Sequence, residues 1–319
     1  MKANLATWFG SAAAALCLVS TVAPQANAGQ MVNGWNYSIE TAGNGSGGAV
    51  YDFTGLAIKD TGDSIIVALN TGMSLGGTTY AGTKIGMGDL FFNFTGKDFA
   101  TANASGSLLA VRFDPTADST NNNANLSPTL TGVYSGVTAK SVALTHYGYS
   151  SINQYFDHGY GIGNVQGNDL STKDAARTYY GNGGSGPIYN VIDKGNKVGD
   201  VSLLTLDILK ANGLDFATQG AKSPQTVGFQ FSKAALGAVF GSYVANIFQE
   251  CGNDGIAVAG TFAANNPPAG NTVPTPSADG APTPAVPEPA EIGGVALAAL
   301  ILGTMKLKAS KRSNTGLKL

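Results

Sequence analysis

The feature that most constrains this chain is the rhythm of its middle section. Between residues 29 and 262, short apolar runs rich in β-branched and aromatic residues are cut by clusters of Gly, Asn, Asp, Ser and Thr. Runs this short between turn-forming residues favour antiparallel strands over helices. Residues 50–58 alternate roughly, and 64–69 form a compact β-branched run stopped at Asn70-Thr71-Gly72. Residues 90–94 are aromatic and end at Thr95-Gly96, whereas 108–113 end at Asp114-Pro115. Residues 141–147, 188–192, 226–231, 243–250 and 256–262 complete the candidates. No repeat of fixed period accompanies them. The sequence therefore predicts a mainly β domain, an antiparallel β-sandwich or jelly-roll-like layer arrangement with one or two short helices. One helix is expected over 201–211, where Val201, Leu204, Ile208 and Leu209 share a face and Asn212-Gly213 supplies a stop. A second short helical turn is expected over 232–236.

The two ends read differently. Residues 1–28 have the form of a secretory signal peptide: Lys2 supplies a sparse positive start, 12–19 are apolar, and Ala26-Asn27-Ala28 is a small-x-small cleavage pattern. Signal peptidase is then expected to cut between Ala28 and Gly29, after passage through the export machinery. Removal of Cys17 with that peptide leaves Cys251 alone, so no disulfide forms within one mature chain. A lone Cys is more often a small buried residue than a nucleophile. The fold must therefore rest on its own hydrophobic core.

After Phe262 the composition changes. Residues 263–290 hold eight of the 13 prolines, and proline lacks the amide donor a packed sheet requires. An extended stalk is expected there. Residues 292–305 are apolar or small throughout, and Lys306, Lys308, Lys311 and Arg312 follow at once. A single transmembrane helix within 291–319, with the basic residues as a cytoplasmic stop, fits that order. At 1.5 Å per residue the apolar stretch reaches about 21 Å; Lys306 snorkelling extends it toward the ~30 Å hydrocarbon core. Between residues 29 and 290 there are 12 basic and 19 acidic side chains, a net charge of about −7. That balance gives no electrostatic footprint for nucleic acid. The expected organisation is signal peptide 1–28, exterior β-rich domain 29–262, stalk 263–290 and sorting helix with basic tail 291–319.

Val286-Pro287-Glu288-Pro289, a short apolar helix and a basic terminus, in that order, resemble the PEP-CTERM sorting signal. The resemblance implies recognition of Pro287, Glu288 and Pro289 by exosortase, a membrane-embedded transpeptidase-like enzyme of bacteria that make extracellular polysaccharide. It further implies removal of the helix, with release or re-anchoring of the exterior part at the cell surface or in the extracellular matrix. The tail departs from the family pattern in being mostly Lys rather than Arg. Gly88-Asp89-Leu90-Phe91-Phe92-Asn93-Phe94, Asn212-Gly213-Leu214-Asp215-Phe216 and Glu250-Cys251-Gly252-Asn253-Asp254-Gly255-Ile256-Ala257 resemble XDD-type exosortase-dependent surface proteins of cyanobacteria. That second resemblance implies a β-rich surface domain and brings no catalytic residues, so a structural or adhesive, non-catalytic role is expected.

Candidate sites in the exterior domain divide by chemistry. G-x-G-x-x-G occurs at 43–48 and 181–186, but neither lies between a strand and a helix as a dinucleotide loop must; both read as turns. His146 and His158 are the only histidines, and no G-x-S-x-G elbow or Cys-based zinc set accompanies them. They read as surface or hydrogen-bonded residues. Three oxygen-rich clusters stand out: Asp114, Asp118 and Asn121–Asn123; Asn168, Asp169 and Asp174; Glu250, Asn253 and Asp254. Such hard ligands suit Ca²⁺, although solvated turns use the same residues. Tyr147, Tyr149, Tyr155, Tyr160, Tyr179 and Tyr180 offer either a carbohydrate-stacking surface or tyrosines packed at a sheet edge. A calcium- or carbohydrate-binding module is thus one alternative function. A glycoside hydrolase with paired carboxylates is another.

Overall fold

The computed structural model describes residues 29–263 apart from 41, 44–45, 119–129 and 159–168. Fourteen strands lie among them. The first seven are β1 Gln30–Val32, β2 Trp35–Ile39, β3 Phe53–Asp60, β4 Ser64–Thr71, β5 Thr78–Tyr80, β6 Thr83–Ile85 and β7 Leu90–Asn93. The remainder are β8 Leu108–Arg112, β9 Gly132–Lys140, β10 Val191–Gly199, β11 Val201–Leu204, β12 Gln225–Ser232, β13 Gly241–Phe248 and β14 Gly255–Phe262. One six-stranded sheet has the order β1-β2-β3-β4-β12-β11, the other β10-β9-β8-β7-β13-β14, and β5 and β6 form a separate hairpin. Every pairing is antiparallel. The mainly β expectation holds.

The two large sheets share one core, in a sandwich-like arrangement. Alternate side chains of β4 (Ile65, Val67, Leu69) and of β12 (Phe229, Phe231) meet Phe92 of β7, Val111 of β8, Ile247 of β13 and Val258 of β14. Phe113 stacks on Phe229 with ring centroids 4.5 Å apart. The outer faces are covered too. Ile66 and Ala68 pack under Leu209, Leu214 and Phe216, whereas Phe91 packs with Phe99, Tyr155 and Tyr180. Burial on both faces explains why 64–69 and 90–92 read as continuous apolar runs rather than clean alternation.

The covering layers are helical, and there are more of them than the sequence predicts. Five short α-helices are present among the described residues: α1 Phe99–Ala104, α2 Ile152–His158, α3 Lys173–Tyr180, α4 Leu206–Ala211 and α5 Phe216–Gln219. Each of α1, α3, α4 and α5 begins at a side chain that accepts a bond from the first turn: Asp98, Thr172, Thr205 and Asp215. The expected helix over 201–211 is split. Val201–Leu204 pairs with Gly228–Phe231 as edge strand β11, and the helix starts only after Thr205, although the Asn212-Gly213 stop stands. The strand expected over 141–147 is a 3-10 turn, Ala143–His146, ending at Tyr147 with φ 62°. Strand β10 begins at Val191 and runs to Gly199, later than 188–192 implies. The turn expected over 232–236 is present as 3-10 Lys233–Leu236.

Cys251 is a free thiol with no exposed surface in the shared core, and burial pushes it up to about 12. Among the described residues no helix is long and apolar enough to cross a membrane. The signal peptide, the stalk, Pro287, Glu288, Pro289 and the Lys306, Lys308, Lys311 and Arg312 stop lie outside the described residues, as does Ala28.

Candidate functional site

The fold regroups the acidic clusters. Asp118 of the first cluster and Glu250 of the third meet His146, and one ligand atom from each lies within 4.8 Å of the others. None of the three is near the others in sequence; each arrives on a separate turn.

The Asp118 turn follows β8. Arg112, buried at the end of that strand, donates to the carbonyls of Pro115 (3.1 Å) and Ala117 (2.6 Å). Asp114 accepts from the Thr116 amide (2.8 Å) and hydroxyl (2.7 Å). Asp114 is thus a structural turn residue, and the loop it clamps delivers Asp118 with its side chain 52% exposed. The Glu250 turn follows β13, where the Glu250 amide donates to the Gly86 carbonyl at 3.1 Å. Its side chain is 1% exposed. Oε2 accepts from the Gly86 amide at 2.6 Å and Oε1 from the Asp118 amide at 2.5 Å. Burial pushes this carboxyl up to about 7, against the pull of those two amides; the Asp118 charge raises it further and His146 opposes.

His146 ends the 3-10 turn, and its ring is 4% exposed. Nδ1 lies 3.0 Å from the Val142 carbonyl and 3.1 Å from the Thr145 hydroxyl. Nε2 faces Asp118 Oδ2 at 3.3 Å and Glu250 Oε2 at 3.7 Å. The close approach depends on Gly148, because a Cβ there would overlap the Cys251 carbonyl. Of the surface or hydrogen-bonded forms expected from sequence, His146 takes the hydrogen-bonded one, buried and facing two carboxylates. No local signal marks this grouping, since its partners are brought in by β8, the 3-10 turn and β13.

The other acidic residues have structural partners. Asp254, with no exposed surface, accepts from the Phe53 amide (2.6 Å), the Tyr155 hydroxyl (2.9 Å) and the Gly255 amide (2.9 Å). Burial holds its carboxyl well above the usual range. Asp169 accepts from the Ala259 amide at 2.7 Å, and burial pushes it up to about 7. Asp174 sits in the first turn of α3 beside Arg177. Asn121–Asn123 and Asn168 lie outside the described residues, so a Ca²⁺ shell built on them has no described geometry.

The tyrosines do not make a common platform. Tyr155 and Tyr180 are buried in the layer under α2 and α3, and the half-buried Tyr179 donates to Asn246 at 2.8 Å. Tyr149 bonds Ser46. Only Tyr147 is widely exposed, and it meets the edge of Tyr80 at 5.5 Å. Tyr160 and the His158 side chain lie outside the described residues. The 181–186 glycine string follows α3 and forms a 3-10 turn, as a loop and not as a phosphate cradle. A groove of about 1040 Å³ lies elsewhere, beside Asn36, Asp169, Tyr179 and Tyr243, away from the His146 cluster.

The strings that carry the surface-protein resemblance lie at junctions between elements. Asp89 accepts from the Ile192 amide at 2.7 Å. Gly88 presses against the carbonyls of Asn190 and Phe248 so closely that a Cβ would overlap both. Asp215 caps α5. No family model, curated protein or solved structure matches the chain.

Proposed function

We propose that this chain is an exported surface or extracellular-matrix protein, sorted by exosortase through Pro287, Glu288 and Pro289, with a structural or adhesive exterior domain. The observation that carries the reading is the order of features at the C terminus: a proline-rich stretch, Pro-Glu-Pro, a short apolar run and a basic end. A mainly β domain in which buried Asp89, Asp169 and Asp254 tie strands together through backbone amides agrees with a role in display. Signal peptidase and the export machinery act first, the membrane holds the chain in transit, and extracellular polysaccharide is the surrounding phase. Mass spectrometry of the mature protein from its producing cells tests this. A C terminus between Pro287 and Glu291 is the expected result; an intact Lys306–Leu319 tail overturns it in favour of a permanent anchor.

The sugar-stacking alternative loses support because Tyr155 and Tyr180 are packed inside. The hydrolase alternative would use Asp118 and Glu250, but Glu250 is buried with each oxygen held by a backbone amide. That geometry favours holding a ligand in place over exchanging protons with a sugar.

A further inference from the structure

We propose that Asp118, His146 and Glu250 bind one divalent transition-metal cation of the zinc class, which ties three turns of the exterior domain together. The inference goes beyond the sorting reading and does not depend on it.

The donor set is mixed and convergent: an imidazole nitrogen and two carboxylates with ligand atoms within 4.8 Å of one another. Three ligands each ~2.0–2.2 Å from a shared ion need only a small closure from that spread. Both buried donors are held from behind. The Val142 carbonyl, 3.0 Å from Nδ1 of His146, can only accept, so Nδ1 is the donor there and Nε2 is the nitrogen turned toward the carboxylates. A histidine held through its second nitrogen is the usual second layer of a metal ligand. Glu250 is fixed in the same way by the amides of Gly86 and Asp118.

An independent observation concerns Nε2 itself. On a ring 4% exposed, it lies 3.3 Å from Asp118 Oδ2 and 3.7 Å from Glu250 Oε2, so both carboxylates converge on the same nitrogen. No Lys or Arg among the described residues pairs with Asp118 or Glu250. Two carboxylates and a buried imidazole nitrogen therefore converge on one point, close enough to share a single cation.

The nitrogen donor sets the class. Imidazole suits zinc and its neighbours, whereas Ca²⁺ takes six to eight oxygens. The class differs from the Ca²⁺ that the acidic clusters offered as an alternative in a chain otherwise expected to carry no cofactor. The half-exposed Asp118 leaves the remaining coordination to water. An ion joining the turns after β8, before α2 and after β13 cross-links them as a disulfide would, while Cys251 stays a buried free thiol.

The test uses the full chain in detergent, on a histidine-free tag, stripped with chelator and titrated with ZnCl₂ by calorimetry. Co²⁺ loading is followed by visible absorption, which reports nitrogen and oxygen ligation at low coordination number. One equivalent of Zn²⁺ per chain and a raised melting temperature are expected. His146→Gln and Glu250→Gln should abolish both. Asp118→Asn, on a half-exposed side chain, should weaken binding about tenfold or more. No heat and no melting shift with Zn²⁺ overturns the proposal. Equal binding by all three variants means an adventitious ion only and also overturns it. Tighter binding of Ca²⁺ than of Zn²⁺ overturns the assigned class.

Discussion

Glu250 and Asp254 lie on one turn, four residues apart, and both are buried, yet the fold uses them in opposite ways. Asp254 is saturated by three fixed donors and joins β3, α2 and β14. Glu250 receives two amides, and beyond them it faces a histidine and a second carboxylate. A buried carboxylate surrounded by donors has no chemistry left to offer. One that faces other ligands does.

The harshest way to break this comparison is to delete the saturated member. Asp254→Ala leaves the Phe53 amide and the Tyr155 hydroxyl without an acceptor, and should cost about 3–5 kcal/mol in denaturant unfolding. Asp254→Asn keeps the shape and one acceptor oxygen but sets its amide N–H against one of those donors, so it should cost less than Asp254→Ala without restoring the site. Equal losses would mean that the charge, and not the hydrogen-bond geometry, matters.

Next in size is the effect of the ion on the other member. Zn²⁺ at about 100 times its dissociation constant should stabilise the native chain by about 2.7 kcal/mol, read as a shift in the unfolding midpoint. Glu250→Gln should remove that shift, whereas Asp254→Asn should retain it. A shift retained in Glu250→Gln would erase the distinction between the two carboxylates.

Asp169 extends the series, with one amide donor on Oδ2 and no partner on Oδ1 among the described residues. Its folded value of about 7 lies above the ordinary 3.8. The folded chain therefore holds a proton that the unfolded chain releases. The stabilisation is complete below about pH 4 and is lost as pH rises toward 7, by at most about 1.4 kcal/mol per unit. Asp169→Asn should flatten that slope in pH-dependent unfolding; an unchanged slope would show that Asp169 is ionised in the folded protein. The smallest effect is expected from Tyr155→Phe, which removes one of the three donors to Asp254 and should cost about 1 kcal/mol by thermal melting.

Legibility followed the range of the interactions. Strands 64–69, 226–231 and 256–262 were readable because β-branched runs and turn residues act locally, and β4, β12 and β14 occupy nearly those bounds. Residues 201–211 misled because apolar spacing on one helix face also fits a strand followed by a helix. Only the pairing of Val201–Leu204 with β12 separates the two. Helix α3 did have a local signal, Thr172 capping with Asp174 in the first turn, but it lay among polar residues that resemble a loop. Tyr155 and Tyr180 look like surface aromatics in a Gly-rich stretch and become core residues once α2 and α3 cover the sheet.

By itself the sequence determined the mainly β character of the domain and the places where strands must stop, since these depend on near neighbours and composition. Only the tertiary structure decided which acid of each cluster holds backbone and which faces His146. Asp118, His146 and Glu250 share no local pattern, and only the packing of three separate turns brings their ligand atoms within 4.8 Å of one another, two of the three residues being buried.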